Sequence, residues 1–243
     1  MTPTVDEAIA RVVRAGAWVL VDTAPLDFVC HRPQVLGRAD GTFFLTSTEI
    51  LEPAGARAGP HGPSYSPGRG RGHLFEMSAR GRLLRHWELG EDTVYHAGGL
   101  AHDGQFVWVA VAEDRPDSRS IVYRLDPATG EAEEMFRYPD HLGGIARDPE
   151  TGLLHALTWG GRRALVLTTD GEPVSRTPAP GRHLGLRCCP AVTVRSPVGL
   201  SVTVRATDFE LAGTDRLRLY ALPDGSPATG GARLLVLEAA SGV

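Results

Sequence analysis

Short apolar segments recur along the chain about every 40–45 residues, and turn-forming residues bound each of them. One segment covers Phe106–Glu113, and a similar one follows at Leu153–Trp159. A looser copy lies earlier in the chain, at Thr42–Glu49. Short strands at this period are the signature of a β-propeller blade. The pattern therefore predicts an all-β fold built from repeated units.

Further strand patterns follow each apolar segment, with turns rather than helices between them. In the turn Asp126–Gly130, the proline presets φ and the glycine accepts a positive φ. The lack of intervening helices argues against a parallel α/β sheet. We predict a β-propeller of about five blades, within a range of four to six, each a four-stranded antiparallel sheet. The other predicted strands are His73–Met77, Leu83–Leu89, Ser120–Leu125, Ala132–Arg137, Ala164–Thr168, Leu217–Leu222 and Ala232–Glu238.

Two units are predicted, an N-terminal helical segment at residues 1–17 and a propeller domain at residues 18–243. The helix is expected over residues 4–15. Trp18–Asp22 is predicted to complete the last blade and close the ring, because closure leaves no long sheet edge exposed. Ten of the 22 residues in Leu51–Gly72 are glycine or proline, which predicts a mobile surface loop, with a lid as the alternative. Residues 183–213 show no regular strand pattern.

Composition narrows the function classes. The formal net charge is −4, and no basic patch indicates a nucleic-acid partner. No apolar run approaches the roughly 20 residues that span a bilayer. Three cysteines, Cys30, Cys188 and Cys189, match neither a zinc spacing nor an even disulfide framework. A cytoplasmic location is expected, although a secreted protein without its leader would look the same. Oligomeric state is not predicted.

Three histidines occupy one phase of the repeat. His96 and His141 each begin a His-x-Gly-Gly segment, and His31 lies at the corresponding place in the first unit without the glycine pair. A propeller brings equivalent positions together around its axis, so these side chains are expected at one mouth of the channel. We predict His96 and His141 to be catalytic and His31 to bind substrate. The alternative is structural, with each histidine hydrogen-bonded to a neighbouring blade.

Carboxylates end two of the apolar segments, Glu49 in the first unit and Glu113 in the second. We take these two strands to be the innermost of their blades. Together the carboxylates could offer hard oxygen ligands to a divalent cation, Ca²⁺ or Mg²⁺. The alternative for each is a solvated strand end.

Arginines follow the apolar segments and are predicted to bind substrate, since a guanidinium holds a carboxylate or phosphate through paired hydrogen bonds. They are Arg115, Arg162 and Arg163. His155 lies in mid-strand and is expected to be buried. Serine-hydrolase, P-loop and zincin motifs are missing, so those classes have no support.

Residues from His73 to Arg163 resemble an uncharacterised propeller family, a domain of unknown function, and the similarity extends over about residues 18–170. The double His-x-Gly-Gly is its most specific part. The chain departs from the family at His31–Gln34, where a tighter His-Pro-Gln-Gly is expected, and throughout residues 185–243. The matching stretches are Gly72–Phe75, Tyr95–Gly99, Val109–Glu113, Asp140–Gly144 and Trp159–Arg163.

The units are more distantly similar to streptogramin lyases and gluconolactonase-type propellers. That resemblance implies a histidine base and a divalent metal at the channel mouth, roles that only His96, His141, Glu49 and Glu113 are placed to inherit. It implies a metal-assisted enzyme acting on a small organic molecule, as a lyase or a lactonase-like hydrolase. The alternative is a non-catalytic propeller that binds a ligand or a partner protein at the same mouth, since fold does not decide function.

Overall fold

The computed structural model describes residues 18–39, 41–57, 64–178, 194–195, 201–202, 206–212, 216–223 and 231–240. The predicted helical segment at residues 1–17 lies outside these ranges. The described strands are β1 Val19–Pro25, β2 Arg32–Ala39, β3 Thr42–Glu52, β4 Gly55–Arg57, β5 Ser64–Ser66, β6 Arg69–Ser78, β7 Leu83–Leu89, β8 Val94–His102, β9 Val107–Glu113, β10 Ser120–Leu125, β11 Ala132–Tyr138, β12 Leu142–Arg147, β13 Leu154–Thr158, β14 Arg163–Leu167, β15 Pro173–Pro178, β16 Val194–Arg195, β17 Ser201–Val202, β18 Thr207–Leu211, β19 Arg216–Ala221 and β20 Arg233–Ala240.

Four antiparallel sheets of four strands each make up most of the described chain. The first has the order β2-β3-β6-β7, the second β8-β9-β10-β11, and the third β12-β13-β14-β15. The last has the order β18-β19-β20-β1, and the short pair β16-β17 precedes it in the chain. Consecutive antiparallel four-stranded sheets are the blades of a propeller. The prediction of an all-β propeller of roughly five blades is therefore confirmed.

The core lies between neighbouring sheets, because apolar side chains cover both faces of each. Phe44 and Val109 belong to the core between the first and second sheets. Between the first and last sheets, the Phe43 and Tyr220 rings meet edge to face with their centroids 4.9 Å apart. In the described part of the chain, no helix is both long and apolar enough to cross a membrane.

The innermost strands are β2, β8 and β12, which corrects the sequence-based assignment. The strands that end near Glu49 and at Glu113 are second in their sheets. Inner strands of adjacent sheets approach closely: a Cβ added at Gly99 would lie 3.1 Å from the Ile145 backbone nitrogen. Glycine is a weak strand former, so the glycine pairs of β8 and β12 concealed these strands in the sequence pattern.

The first strand completes the last sheet, as the sequence predicted. β1 pairs antiparallel with β20, in a register that runs from Val19 opposite Glu238 to Pro25 opposite Arg233. Across the junction with the first sheet, Arg38 donates a hydrogen bond to Glu210.

Two expectations are wrong. In its described residues, 51–57 and 64–72, the glycine- and proline-rich insert is mostly strand: β3 and β6 stay paired as far as Glu52 opposite Arg69, and β4 pairs with β5. The Tyr95 hydroxyl donates to the Pro67 carbonyl at 2.9 Å and ties the insert to β8. His155 is exposed rather than buried, because alternation along β13 directs it away from the buried side chains of Leu154 and Ala156.

Candidate functional site

The three histidines of the repeat lie at the start of the three inner strands. His31 directly precedes β2, His96 is the third residue of β8, and His141 directly precedes β12. The His96 and His141 rings lie with their centroids 5.4 Å apart. His31 has a φ of 50°, in the left-handed region that non-glycine residues seldom occupy. Such backbone geometry is concentrated at functional positions.

His141 is a buried, neutral histidine with a fixed tautomer. Its Nδ1 donates a hydrogen bond of 2.7 Å to the Glu113 backbone carbonyl, which leaves Nε2 as the basic nitrogen. Burial and the neighbouring His96 lower the pKa of His141 to about 4. The Trp159 ring meets it edge to face at 4.6 Å.

The glycine two residues after His96 makes room for its ring. A Cβ at Gly98 would lie 2.9 Å from the His96 ring atoms. A Cβ at Gly143 would lie 3.5 Å from the ring of His141. The glycine is therefore needed beside the His96 ring, whereas a side chain at position 143 would make an ordinary contact with His141.

The Glu113 carboxylate is bound by three neighbouring side chains. Its side chain is buried and accepts hydrogen bonds from Thr93 Oγ1 at 2.8 Å, Arg115 Nε at 2.8 Å and Arg119 Nε at 3.1 Å. These donors hold the pKa of Glu113 below its ordinary value, against the opposing effect of burial. Both of its carboxylate oxygens are therefore already engaged by neighbouring groups.

The other two candidate arginines are also paired with carboxylates. Arg162 Nη2 lies 3.2 Å from Asp117 Oδ1, and Arg163 Nη1 lies 3.0 Å from Asp140 Oδ2. Like Arg115 on Glu113, each already has an acidic partner within the protein. An anionic substrate would have to compete with that partner.

A second cluster forms where β2 begins and β3 ends, and it consists of His31, Glu49 and His73. One donor atom from each residue lies within 4.8 Å of the other two. His73 Nε2 is 3.4 Å from Glu49 Oε2, and the His31 and His73 rings stack at 4.9 Å with an angle of 12° between their planes. Two imidazoles and a carboxylate are able to hold a divalent cation.

His73 was not singled out from the sequence. In the sheet it lies opposite Ser47, so it shares a face with Glu49 two residues further along β3. Knowing the register between β3 and β6 would have placed His73 beside Glu49. The irregular insert between these strands makes that register hard to predict from the sequence.

The surroundings of His73 favour the neutral imidazole. The residue is buried, and its Nδ1 lies 3.0 Å from His86 Nε2. Burial, followed by the nearby His31 and His86, lowers the pKa of His73. The Glu49 carboxylate, 3.4 Å from the buried Nε2, acts in the opposite direction and raises this pKa, but burial has the larger effect.

A family model described as a family of unknown function (DUF6454) matches residues 5–172. The chain belongs to this family. The match covers the first two sheets, the third sheet as far as β14, and both candidate clusters of this DUF6454 protein. A search of curated proteins finds no match.

Solved structures similar to this DUF6454 chain include a luciferin-regenerating enzyme, with 15% identity over 94% of this chain and 62% of the other, and a TM-score of 0.39. Another is a protein of unknown function from Bacteroides caccae, with 12% identity over 78% and 53%, and a TM-score of 0.40. A third is a calcium-binding protein, regucalcin, from Agrobacterium tumefaciens, with 15% identity over 92% and 62%, and a TM-score of 0.36. The chain spans less than two thirds of the length of each.

Proposed function

We propose that this protein is an enzyme that acts on a small organic molecule at the end of the propeller where the inner strands begin. The reaction is lactone-type hydrolysis or elimination across a C–O bond. The observation that carries the proposal is the neutral His141, which donates through Nδ1 to a backbone carbonyl and has its ring 5.4 Å from that of His96. Because Nδ1 donates to the carbonyl, Nε2 is the nitrogen that is left to accept a proton, and it is unprotonated above a pH of about 4.

The proton steps differ between the two reactions. In lactone hydrolysis, His141 Nε2 takes a proton from water as the water oxygen bonds to the carbonyl carbon. The ring C–O bond then breaks, and the leaving oxygen takes up the proton. In elimination, the same nitrogen removes a proton next to a carbonyl as the C–O bond on the next carbon breaks. The His96 ring lies 5.4 Å from the His141 ring, so His96 is placed to donate a proton to the leaving oxygen in either reaction.

A divalent cation is part of the proposal. When bound, it would polarise the substrate carbonyl. Of the two predicted cation ligands, Glu49 fits this role, because it clusters with two histidines. Glu113 does not fit, since Thr93, Arg115 and Arg119 already occupy its oxygens. The cation therefore belongs with Glu49 and the two histidines.

The test replaces His141 by Asn, which keeps a donor near the position of Nδ1 and removes the basic nitrogen. Against a panel of γ- and δ-lactones, followed by pH-stat, and of β-acyloxy ketones, followed by absorbance of the enone product, we expect turnover by the unaltered protein. His141→Asn should lower kcat by about 10²–10⁴. His155→Asn, an exposed histidine elsewhere in the same sheet, is the matched control and should keep full activity.

The competing function is a non-catalytic module that binds a ligand or protein through the same surface. Equal rates for the unaltered protein and His141→Asn on every substrate would support that function. Loss of activity in both His141→Asn and the His155→Asn control, with lowered melting temperatures, would show a structural effect and remove support for the enzyme.

A further inference from the structure

We propose that His31, Glu49 and His73 form a binding site for a transition-metal cation of the Zn²⁺ class. The inference names the cation that the proposed function calls for, but it stands on the geometry of the cluster and is tested apart from activity. It replaces the Ca²⁺ or Mg²⁺ expected from the sequence.

The donor atoms are close to the spacing that a small cation needs. They lie within 4.8 Å of one another, whereas tetrahedral Zn²⁺ with bonds near 2.1 Å places its ligands roughly 3.4 Å apart. The His73 Nε2 to Glu49 Oε2 distance of 3.4 Å already matches that spacing. The remaining adjustment falls on His31, which is partly exposed.

His73 is prepared to act as a ligand. Its Nε2 is buried and faces the Glu49 carboxylate, whose Oε2 lies 3.4 Å away, at the long end of the hydrogen-bond range. Its Nδ1 lies 3.0 Å from His86 Nε2. A proton on Nδ1, donated to His86, leaves Nε2 with its lone pair towards Glu49. Metal-bound histidines regularly donate their second nitrogen in this way, which fixes their tautomer.

The chemistry of the donors selects the cation. Ca²⁺ and Mg²⁺ take oxygen ligands almost exclusively, and this cluster supplies only one carboxylate. Two imidazoles and a carboxylate form the ligand set of many catalytic zinc sites, which keep a fourth position open for water or substrate.

Glu49 has one competing partner. Arg71 Nη1 lies 3.4 Å from Glu49 Oε2, so cation binding must displace or share this contact. Arg71 Nε also lies 3.6 Å from Glu88 Oε1. The Arg71 side chain is 50% accessible, Glu49 is 23% accessible, and Glu88 is 61% accessible. Arg71 thus has an alternative carboxylate once the cation binds.

The experiment strips the full chain with EDTA and titrates it with ZnCl₂, MnCl₂, CaCl₂ and MgCl₂ by calorimetry. We expect one Zn²⁺ per chain and a higher Tm with Zn²⁺, because the cation binds the folded chain. Millimolar Ca²⁺ or Mg²⁺ should do neither. Co²⁺ in place of Zn²⁺ should give the visible absorption of a tetrahedral site.

Variants locate the bound cation. His73→Asn, Glu49→Gln and His31→Asn should each weaken Zn²⁺ binding by about 100-fold or more, and His86→Ala by about 10–100-fold. His155→Asn should bind as the unaltered protein does. No Zn²⁺ binding, or binding that all three ligand variants retain, for example on Cys188 and Cys189, would overturn the proposal.

A further variant separates this proposal from the proposed function. His141→Asn should retain full Zn²⁺ affinity, since His141 is not among the ligands. Zn²⁺ binding without turnover of any substrate by the unaltered protein would leave the metal site standing and remove the enzyme. Turnover that persists in the stripped protein and in Glu49→Gln, with no Zn²⁺ bound, would leave the enzyme and remove the metal site.

Discussion

His141 shows how burial sets the chemistry of one side chain. The ring is 2% exposed, and a backbone carbonyl holds its Nδ1 proton. The unfolded chain binds a proton at this residue with a pKa near 6.5, whereas in the folded chain that pKa is about 4. Between these values the unfolded state binds more protons than the folded state. Folding is therefore favoured at higher pH and loses free energy as the pH falls through this range.

We predict that His141 removes about 2 kcal/mol from the free energy of unfolding between pH 8 and pH 5. Urea unfolding at the two pH values measures the loss. His73 and His86, whose pKa values are also lowered, contribute in the same direction. The loss in His141→Asn should therefore be smaller by about 2 kcal/mol. An unchanged loss in this variant would show that His141 is not the buried neutral group described.

Part of the site could be predicted from the sequence, because equivalent positions of successive repeats lie close together in a propeller. His96 and His141 share a phase of the repeat, and their rings lie together. The repeat does not predict the position of His73. Its place beside Glu49 depends on the register between β3 and β6, which an irregular insert separates in the sequence. Nor does a sequence show which carboxylate each arginine meets. Arg115, Arg162 and Arg163 were therefore assigned to substrate on side-chain chemistry alone.

Among the elements, the extended pair β3 and β6 connects the insert to the candidate site. Gly70 in β6 lies where three segments meet. A Cβ there would come within 2.3 Å of the Glu49 carbonyl oxygen and 2.5 Å of the Tyr95 ring. The Tyr95 side chain is buried, which raises the pKa of its hydroxyl to about 12, and it reaches the insert through Pro67. Position 70 therefore couples the strand that carries His73 to the strand that carries His96.

We predict that Gly70→Ala destabilises the protein by about 1–3 kcal/mol, because the added methyl group meets backbone that has no room to move. Gly55→Ala in β4 is the control, since a Cβ at that position meets nothing within 4 Å. Chemical denaturation of both variants measures the difference. Equal stability for the two would mean that the insert does not pack on β6 and Tyr95 as described.

Element by element, the sequence was most informative where residues are apolar and alternating. β9 and β10 were found close to their actual bounds because they are rich in valine and isoleucine. The sequence pattern does not reveal β8 and β12 as strands, because each contains a glycine pair, and Gly99 lies where β8 approaches β12 closely. The order of strands in the sheets shows that β8 and β12 are strands and that each lies at the edge of its sheet.

For the whole molecule, the pairing of β1 with β20 joins the two ends of the described fold into one sheet. Val19 and Glu238 are direct partners in that pairing. Opposed residues in antiparallel strands have Cα atoms about 4.5–5.5 Å apart, a separation that a disulfide accommodates. Val19 is also largely exposed, so a cysteine there removes no core contact.

We predict that a disulfide between Val19→Cys and Glu238→Cys stabilises the fold by about 2–4 kcal/mol in its oxidised form over its reduced form. Glu238 makes ion pairs with arginines in β19, and the double variant loses them. Both the oxidised and the reduced form lack these ion pairs, so their loss does not affect the difference in stability between the two forms. Thermal unfolding with mass spectrometry of the bridge is the measurement. A formed bridge with identical melting curves would count against β1 as a strand of the last sheet.

This pairing has a consequence for how each chain is made. β1 is synthesised about 210 residues before β20, its sheet partner in the described part of the chain. At about 5–20 residues per second, the interval is on the order of 10–40 s. Throughout it, β1 is an unpaired strand, open to chaperones and to the equivalent strand of a neighbouring nascent chain. Completion of the last sheet therefore has to wait until β20 has been synthesised.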